Sequence, residues 1–72
     1  MARKKRYDAN YINYLLRKNG SSQAAIAESF TPEITRQAVN NVIHGRRRNE
    51  RIRKAIAEVI GIEVNEIWPD AA

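Results

Sequence analysis

The feature that most constrains this chain is how often it signals a helix to begin or to end. Asp8, Ser21-Ser22, Thr31, Thr35 and Asn49 each stand just ahead of a segment with helical periodicity. Their side-chain oxygens suit them to accept from the free N–H groups of a first turn. Asn19-Gly20, His44-Gly45, Gly61 and Pro69 close such segments as stops. Alternation of apolar and polar residues, the mark of a strand, is nearly absent. The punctuation predicts four or five short helices joined by short connections, a compact all-α domain.

The first helix is expected from near Asp8 to about Lys18, with Ile12, Leu15 and Leu16 as its core stripe and Tyr11 flanking it. The second is expected from Gln23 to about Phe30, turning Ile26, Ala27 and Phe30 inward. Thr31-Pro32-Glu33 reads as the start of the third: a cap residue, a proline in the first turn, and an acid near the positive end of the helix dipole. Thr35 is a competing start. The fourth is expected from near Asn49 to Gly61, with Ile52, Ala55, Ile56, Val59 and Ile60 at helical spacing. "IEVNEIWP" predicts a short fifth helix stopped by Pro69, with Trp68 packing back onto the core.

Seventy-two residues make one domain at most, with a small core and no room for a deep cavity. The sequence divides into a basic N-terminal arm, 1–7, and a single domain, 8–72. Apolar residues at 43% and charged residues at 29% are ordinary for a compact domain and argue against disorder throughout. There is no cysteine, so disulfides and thiolate metal sites are excluded and a reducing, cytoplasmic compartment is expected. No apolar run approaches the roughly 20 residues of a membrane span. Arg3-Lys4-Lys5-Arg6 resembles the basic start of a signal peptide, but the adjoining "YDANYINYLL" is too polar for its apolar segment.

The net charge is +5 and unevenly spread. Basic residues cluster at Arg3–Arg6 and at Arg46–Lys54. From Ala55 onward there is no lysine or arginine, only Glu58, Glu63, Glu66 and Asp70. One part of the molecule suits a polyanion and the other does not.

The third helix carries the most informative stretch, "ITRQAVNNVIHGRRRN". At about 100° per residue, Arg36, Asn40, His44, Gln37 and Asn41 fall within one arc of roughly 140°. Ala38, Val39, Val42 and Ile43 fill the other side. Glu, Lys and Ala would stabilise a solvent-facing helix better than Asn and His do. The choice of side chains therefore points to a partner. Asn and Gln pair bidentately with adenine N6/N7, and Arg with guanine O6/N7, in a major groove wide enough for a helix. Arg46, Arg47 and Arg48 come directly after, where a loop can lie along the phosphate backbone.

"SQAAIAESF…ITRQAVNNVIHGRRRN" resembles the helix-turn-helix of the lambda repressor/Cro-like, or XRE, superfamily. Gln23 matches the start of the motif's first helix, Ala27 its close helix crossing, and Phe30 its apolar closer. Ile34 matches the apolar turn residue, Val39 and Val42 the anchors of the recognition helix, and Gly45 its terminal glycine. The ending "IGIEVNEIWP" is similar to that of the small phage Ner-like regulators. One departure stands out: where the family holds a glycine in the turn, this chain has Thr31-Pro32-Glu33. Either the turn is looser, or the third helix gains a turn at its start.

The resemblance implies that Thr35, Arg36, Gln37, Asn40 and Asn41 contact DNA, the first four at bases and Asn41 toward the groove edge. It implies phosphate contacts from Gln23, which would also support the first residue of the recognition helix. His44, Arg46, Arg47, Arg48 and Asn49 would join it on the backbone. Arg3, Lys4, Lys5 and Arg6 are similar to the arm with which some lambda-type repressors wrap the duplex.

Other chemistry finds little support. His44 is the single histidine, without cysteine or a carboxylate pair beside it, so no metal site or cofactor is expected. Ser21, Ser22 and Ser29 have no base in reach, so no enzyme is expected. Tyr7, Tyr11 and Tyr14 share one helical face; they suit base stacking, the core edge or a subunit contact. The expected function is that of a sequence-specific, double-stranded DNA-binding regulator of the small repressor type. It would act on a palindromic operator as a homodimer, with no membrane association and no small-molecule ligand. The alternative is an antitoxin-like module whose acidic C-terminal part binds a protein partner.

Overall fold

A computed structural model describes residues 7–69. The basic arm expected at Arg3–Arg6 lies outside them. Five helices run in order: α1 Ala9–Lys18, α2 Gln23–Glu28, α3 Arg36–Ile43, α4 Glu50–Ile60 and α5 Val64–Ile67. No strand occurs among the described residues. The all-α expectation therefore stands as the observed architecture.

Four of the five starts are fixed by the chemistry that predicted them. Asp8 accepts from the Tyr11 N–H at 2.8 Å, Ser22 from Ala25, Thr35 from Ala38 and Asn49 from Ile52. Each such cap is worth about 1 kcal/mol. Gly20, Gly45 and Gly61 all adopt positive φ at or just beyond helix ends. At Gly61 the left-handed conformation lets its N–H reach the Ala57 carbonyl at 2.8 Å and ends α4.

Two boundaries differ from expectation. α2 stops at Glu28, short of Phe30. Thr31-Pro32-Glu33 does not start α3; Thr35 does. The segment between is a long, irregular turn pinned to the end of α2, where the Ile34 N–H donates to the Ala27 carbonyl at 3.3 Å. Held there, Ile34 is still loop, and Thr35 is the first residue whose hydroxyl can cap the next turn of helix.

α4 is the hub, packing against each of the other four helices, while α2 packs most closely on α3. Ile12, Leu16, Ile26, Val39, Val42 and Ile56 are essentially sealed from water. Each contributes roughly 1.5–3 kcal/mol on burial. Trp68 is buried, as expected. Leu15, Phe30, Val59 and Ile60 are only half-buried, and Tyr11 is exposed. On α4 two core members are unforeseen: Ala57, in place of the half-buried Ala55, and Arg53, just 3% exposed. Its guanidinium carbon lies 5.1 Å from the centre of the Trp68 ring, with Glu50 at 4.0 Å. Charge over an aromatic face, with an aliphatic stem to pack, lets an arginine fill a core position.

Candidate nucleic-acid interface

α3 is anchored from beneath and open above. Val39, Val42 and Ile43 are buried against α2 and α4, and Ala38 is half-buried. Thr35, Arg36, Gln37 and His44 are exposed, while Asn40 and Asn41 are half-buried. The helical wheel thus divides as its periodicity predicts. Ala27 permits this placement: a small, 4% exposed side chain on the α2 face that meets α3.

The carboxamides do not stand separately. Gln23 Nε2 donates to Asn13 Oδ1 at 2.9 Å, and Asn40 Nδ2 donates to Gln23 Oε1 over a longer 3.4 Å. Arg46 Nη1 donates to Asn40 Oδ1 at 3.2 Å and to Asn41 Oδ1 at 3.1 Å. Gln37 Nε2 completes the row, donating to Asn41 Oδ1 at 3.2 Å. One line of hydrogen bonds therefore runs Asn13, Gln23, Asn40, Arg46, Asn41, Gln37. It ties α1, α2, α3 and the loop beyond α3 into one surface.

Gln23 does bond to α3, but not at its first residue. It meets Asn40, more than a turn inside α3. The reason is register. Gln23 lies one turn before Ala27 on the same face of α2, and the looser turn delays the start of α3. Asn13 is the member that sequence reasoning missed. Its only signal is a polar residue beside the Ile12 and Leu16 stripe, which on α1 reads as solvent face.

The loop after α3 is set by Gly45. With φ at 76°, it turns the chain so that the N–H groups of Arg46 and Arg47 both point at the Asn41 carbonyl, at 2.9 and 3.3 Å. This brings Arg46 back over the α3 face. Arg47 is exposed. Arg48 is also exposed, and its Nε donates to Glu50 Oε2 at 2.8 Å. Asn49 is exposed, but its Oδ1 is used to cap α4. Arg51 lies over the Phe30 ring at 5.5 Å. The basic cluster Arg46–Lys54 is thus several different environments.

Tyr7, just before α1, and Tyr11 and Tyr14 on it form a ladder, with ring centres of Tyr7 and Tyr11 at 5.6 Å and of Tyr11 and Tyr14 at 6.2 Å. Tyr11 and Tyr14 are exposed. Among the described residues, no group of three histidine, cysteine or carboxylate side chains gathers to hold a metal ion. No helix among them is long and apolar enough to cross a membrane.

The surface so assembled is a helix presented over a two-helix base, with carboxamides, threonine and arginine outward and a basic loop beside it. Compared with known proteins, residues 7–71 match a family described as winged helix-turn-helix DNA-binding. No curated protein and no solved structure matches the chain significantly. With nearly the whole sequence covered, the chain belongs to the winged helix-turn-helix DNA-binding family.

Proposed function

We propose that this protein is a sequence-specific regulator of transcription that reads the major groove of double-stranded DNA with α3. The observation that carries the reading is the composition of the exposed α3 face, with Arg46 and Arg47 placed at its end. Within the helix-turn-helix class we assign it to the lambda repressor/Cro-like type, with a Ner-like ending, acting as a small repressor of phage kind.

Thr35, Arg36 and Gln37 lie at the exposed start of α3 and face bases, with Asn40 and Asn41 behind them. Thr35 reaches the groove with its hydroxyl hydrogen, because its oxygen caps the helix. Gln23, His44, Arg47, Arg48 and Asn49 take phosphates. Arg48 would exchange Glu50 for phosphate at small cost, since an exposed ion pair contributes about 0–1 kcal/mol. Two copies on a palindromic site would place two α3 helices one duplex turn apart.

Selection of bound duplexes from a random pool near physiological salt tests the reading. A palindromic consensus supports both base recognition and the two-fold dimer. Binding that fades as salt rises, with no sequence enriched, would leave only backbone attraction. The antitoxin-like alternative has one observation in its favour. A groove between α4 and α5, with Ala57, Ile62 and Val64 as its apolar floor, is rimmed by Glu50, Glu58, Glu63 and Glu66 against one cation, Lys54, an excess of acid that suits a basic protein segment.

A further inference from the structure

Resting on that reading, we propose that Arg46 is a specificity-determining residue: a guanidinium fork held ready for guanine, with Asn40 and Asn41 as the side chains that position it. The sequence places Arg46 in a run of three arginines, where phosphate contact is the natural assignment. The structure sets it apart from its neighbours. Its main-chain N–H is fixed on the Asn41 carbonyl at 2.9 Å. Its Nη1 bridges the Oδ1 atoms of Asn40 and Asn41. The Arg47 N–H reaches the same carbonyl only at 3.3 Å, and the Arg48 guanidinium is drawn toward Glu50 on α4.

The number of donors decides what Arg46 can still bind. A guanidinium has five N–H groups. Nη1 carries two, and the two asparagine oxygens take them. Nε and Nη2 keep three, including the parallel pair that forms a bidentate contact with two acceptors on one plane. Arg46 can therefore stay on α3 and still present its binding edge. The acceptor pair that matches this edge in the major groove is guanine O6 and N7.

The same bonds change what the asparagines can read. An asparagine recognises adenine by accepting from N6 while donating to N7. Here Oδ1 of both asparagines already accepts from a cation. Asn40 also spends an N–H on Gln23, which accepts it while holding Asn13. With Arg46 in place the face is rich in donors and prefers guanine. With Arg46 removed, the Asn40 carboxamide regains the geometry of an adenine reader.

The test is duplex selection with the whole chain in four forms: wild type, Arg46→Ala, Arg46→Lys and Arg47→Ala. Arg46 is exposed, so these substitutions leave the core intact. Wild type is expected to enrich one G·C pair per half-site that Arg46→Ala loses by roughly tenfold or more, with A·T rising in its place. Arg46→Lys, which keeps the charge but lacks the planar fork, is expected to lose the guanine preference too. Arg47→Ala is expected to keep the wild-type consensus. If Arg46→Ala weakens every sequence alike and leaves the consensus unchanged, Arg46 is a backbone contact and the proposal falls. If Arg46→Lys retains full guanine preference, the fork is not the reader and the proposal also falls. If wild type itself enriches nothing, base reading by α3 is wrong, and this assignment falls with it.

Discussion

Arg46 and Arg53 are seven residues apart in one basic cluster, and they do opposite things. Arg46 sits on the surface, its guanidinium spread across two carboxamides of α3. Arg53 is buried in α4 with its guanidinium over Trp68. Between them, Arg48 is drawn to Glu50 and Arg51 to the face of Phe30. A count of positive charges treats all four as one electrostatic patch. The fold leaves the loop arginines on the surface and puts an α4 arginine in the core. Net charge therefore overstates how many cations are placed to meet a phosphate.

The largest expected consequence is at Arg53. Arg53→Ala removes a long buried side chain and the cation that covers Trp68. By analogy with other large-to-small core changes it should cost about 2–5 kcal/mol of stability. Urea denaturation measures it. Arg53→Met, which keeps most of the volume, should recover part of the loss. By contrast Arg47→Ala should stay within about 0.5 kcal/mol of wild type. Equal midpoints for the two alanine variants would erase the distinction between core and surface arginines.

Asn40→Ala should leave folding nearly intact but cost about 1–3 kcal/mol on the preferred duplex, and little on random DNA. Competition binding at fixed salt separates the two. Equal losses on both duplexes would mean that the centre of the carboxamide row senses only the backbone.

Asn13→Ala probes the far end of the same row. Asn13 touches Gln23 alone among these groups, so its loss should free Gln23 and loosen Asn40. One hydrogen bond is worth about 0.5–1.5 kcal/mol, and the effect on specific binding should lie within that range. Asn13→Asp retains an acceptor for Gln23 and should restore binding. Specific binding that is identical in wild type and Asn13→Ala would show that the row ends at Gln23.

Asn40 and Asn13 also show where the sequence was legible. Asn40 declared itself, because helical periodicity places it opposite Val39 and Val42, and burial of those valines fixes the rotation of α3. The caps at Asp8, Ser22, Thr35 and Asn49 were equally readable, since each is a local bond three residues long. Asn13 and Arg53 were not. A bond from Gln23 back to α1 spans ten residues and depends on how two helices cross. The burial of Arg53 depends on where α5 returns Trp68. The misplaced start of α3 has the same origin: Thr31-Pro32-Glu33 is a plausible local signal, and a tertiary bond from Ile34 to Ala27 overrides it.

The smallest effect sharpens the comparison most directly, because it counts cations at the interface. Each phosphate neutralised contributes a slope of about −0.9 in log K against log salt. Arg47 is exposed in the loop beyond α3, so on the proposed function Arg47→Ala should reduce the magnitude of that slope by about one. Arg51 carries the same formal charge four residues on, but its guanidinium rests against Phe30. Arg51→Ala should leave the slope unchanged within error, despite an identical change in net charge. Slopes taken on random duplex between roughly 50 and 200 mM salt compare the two variants without base recognition intervening. If both variants lower the slope equally, Arg51 belongs to the phosphate footprint after all. The interface would then extend from the α3 loop onto α4, and Phe30 would be no more than a resting place for Arg51 in the absence of DNA.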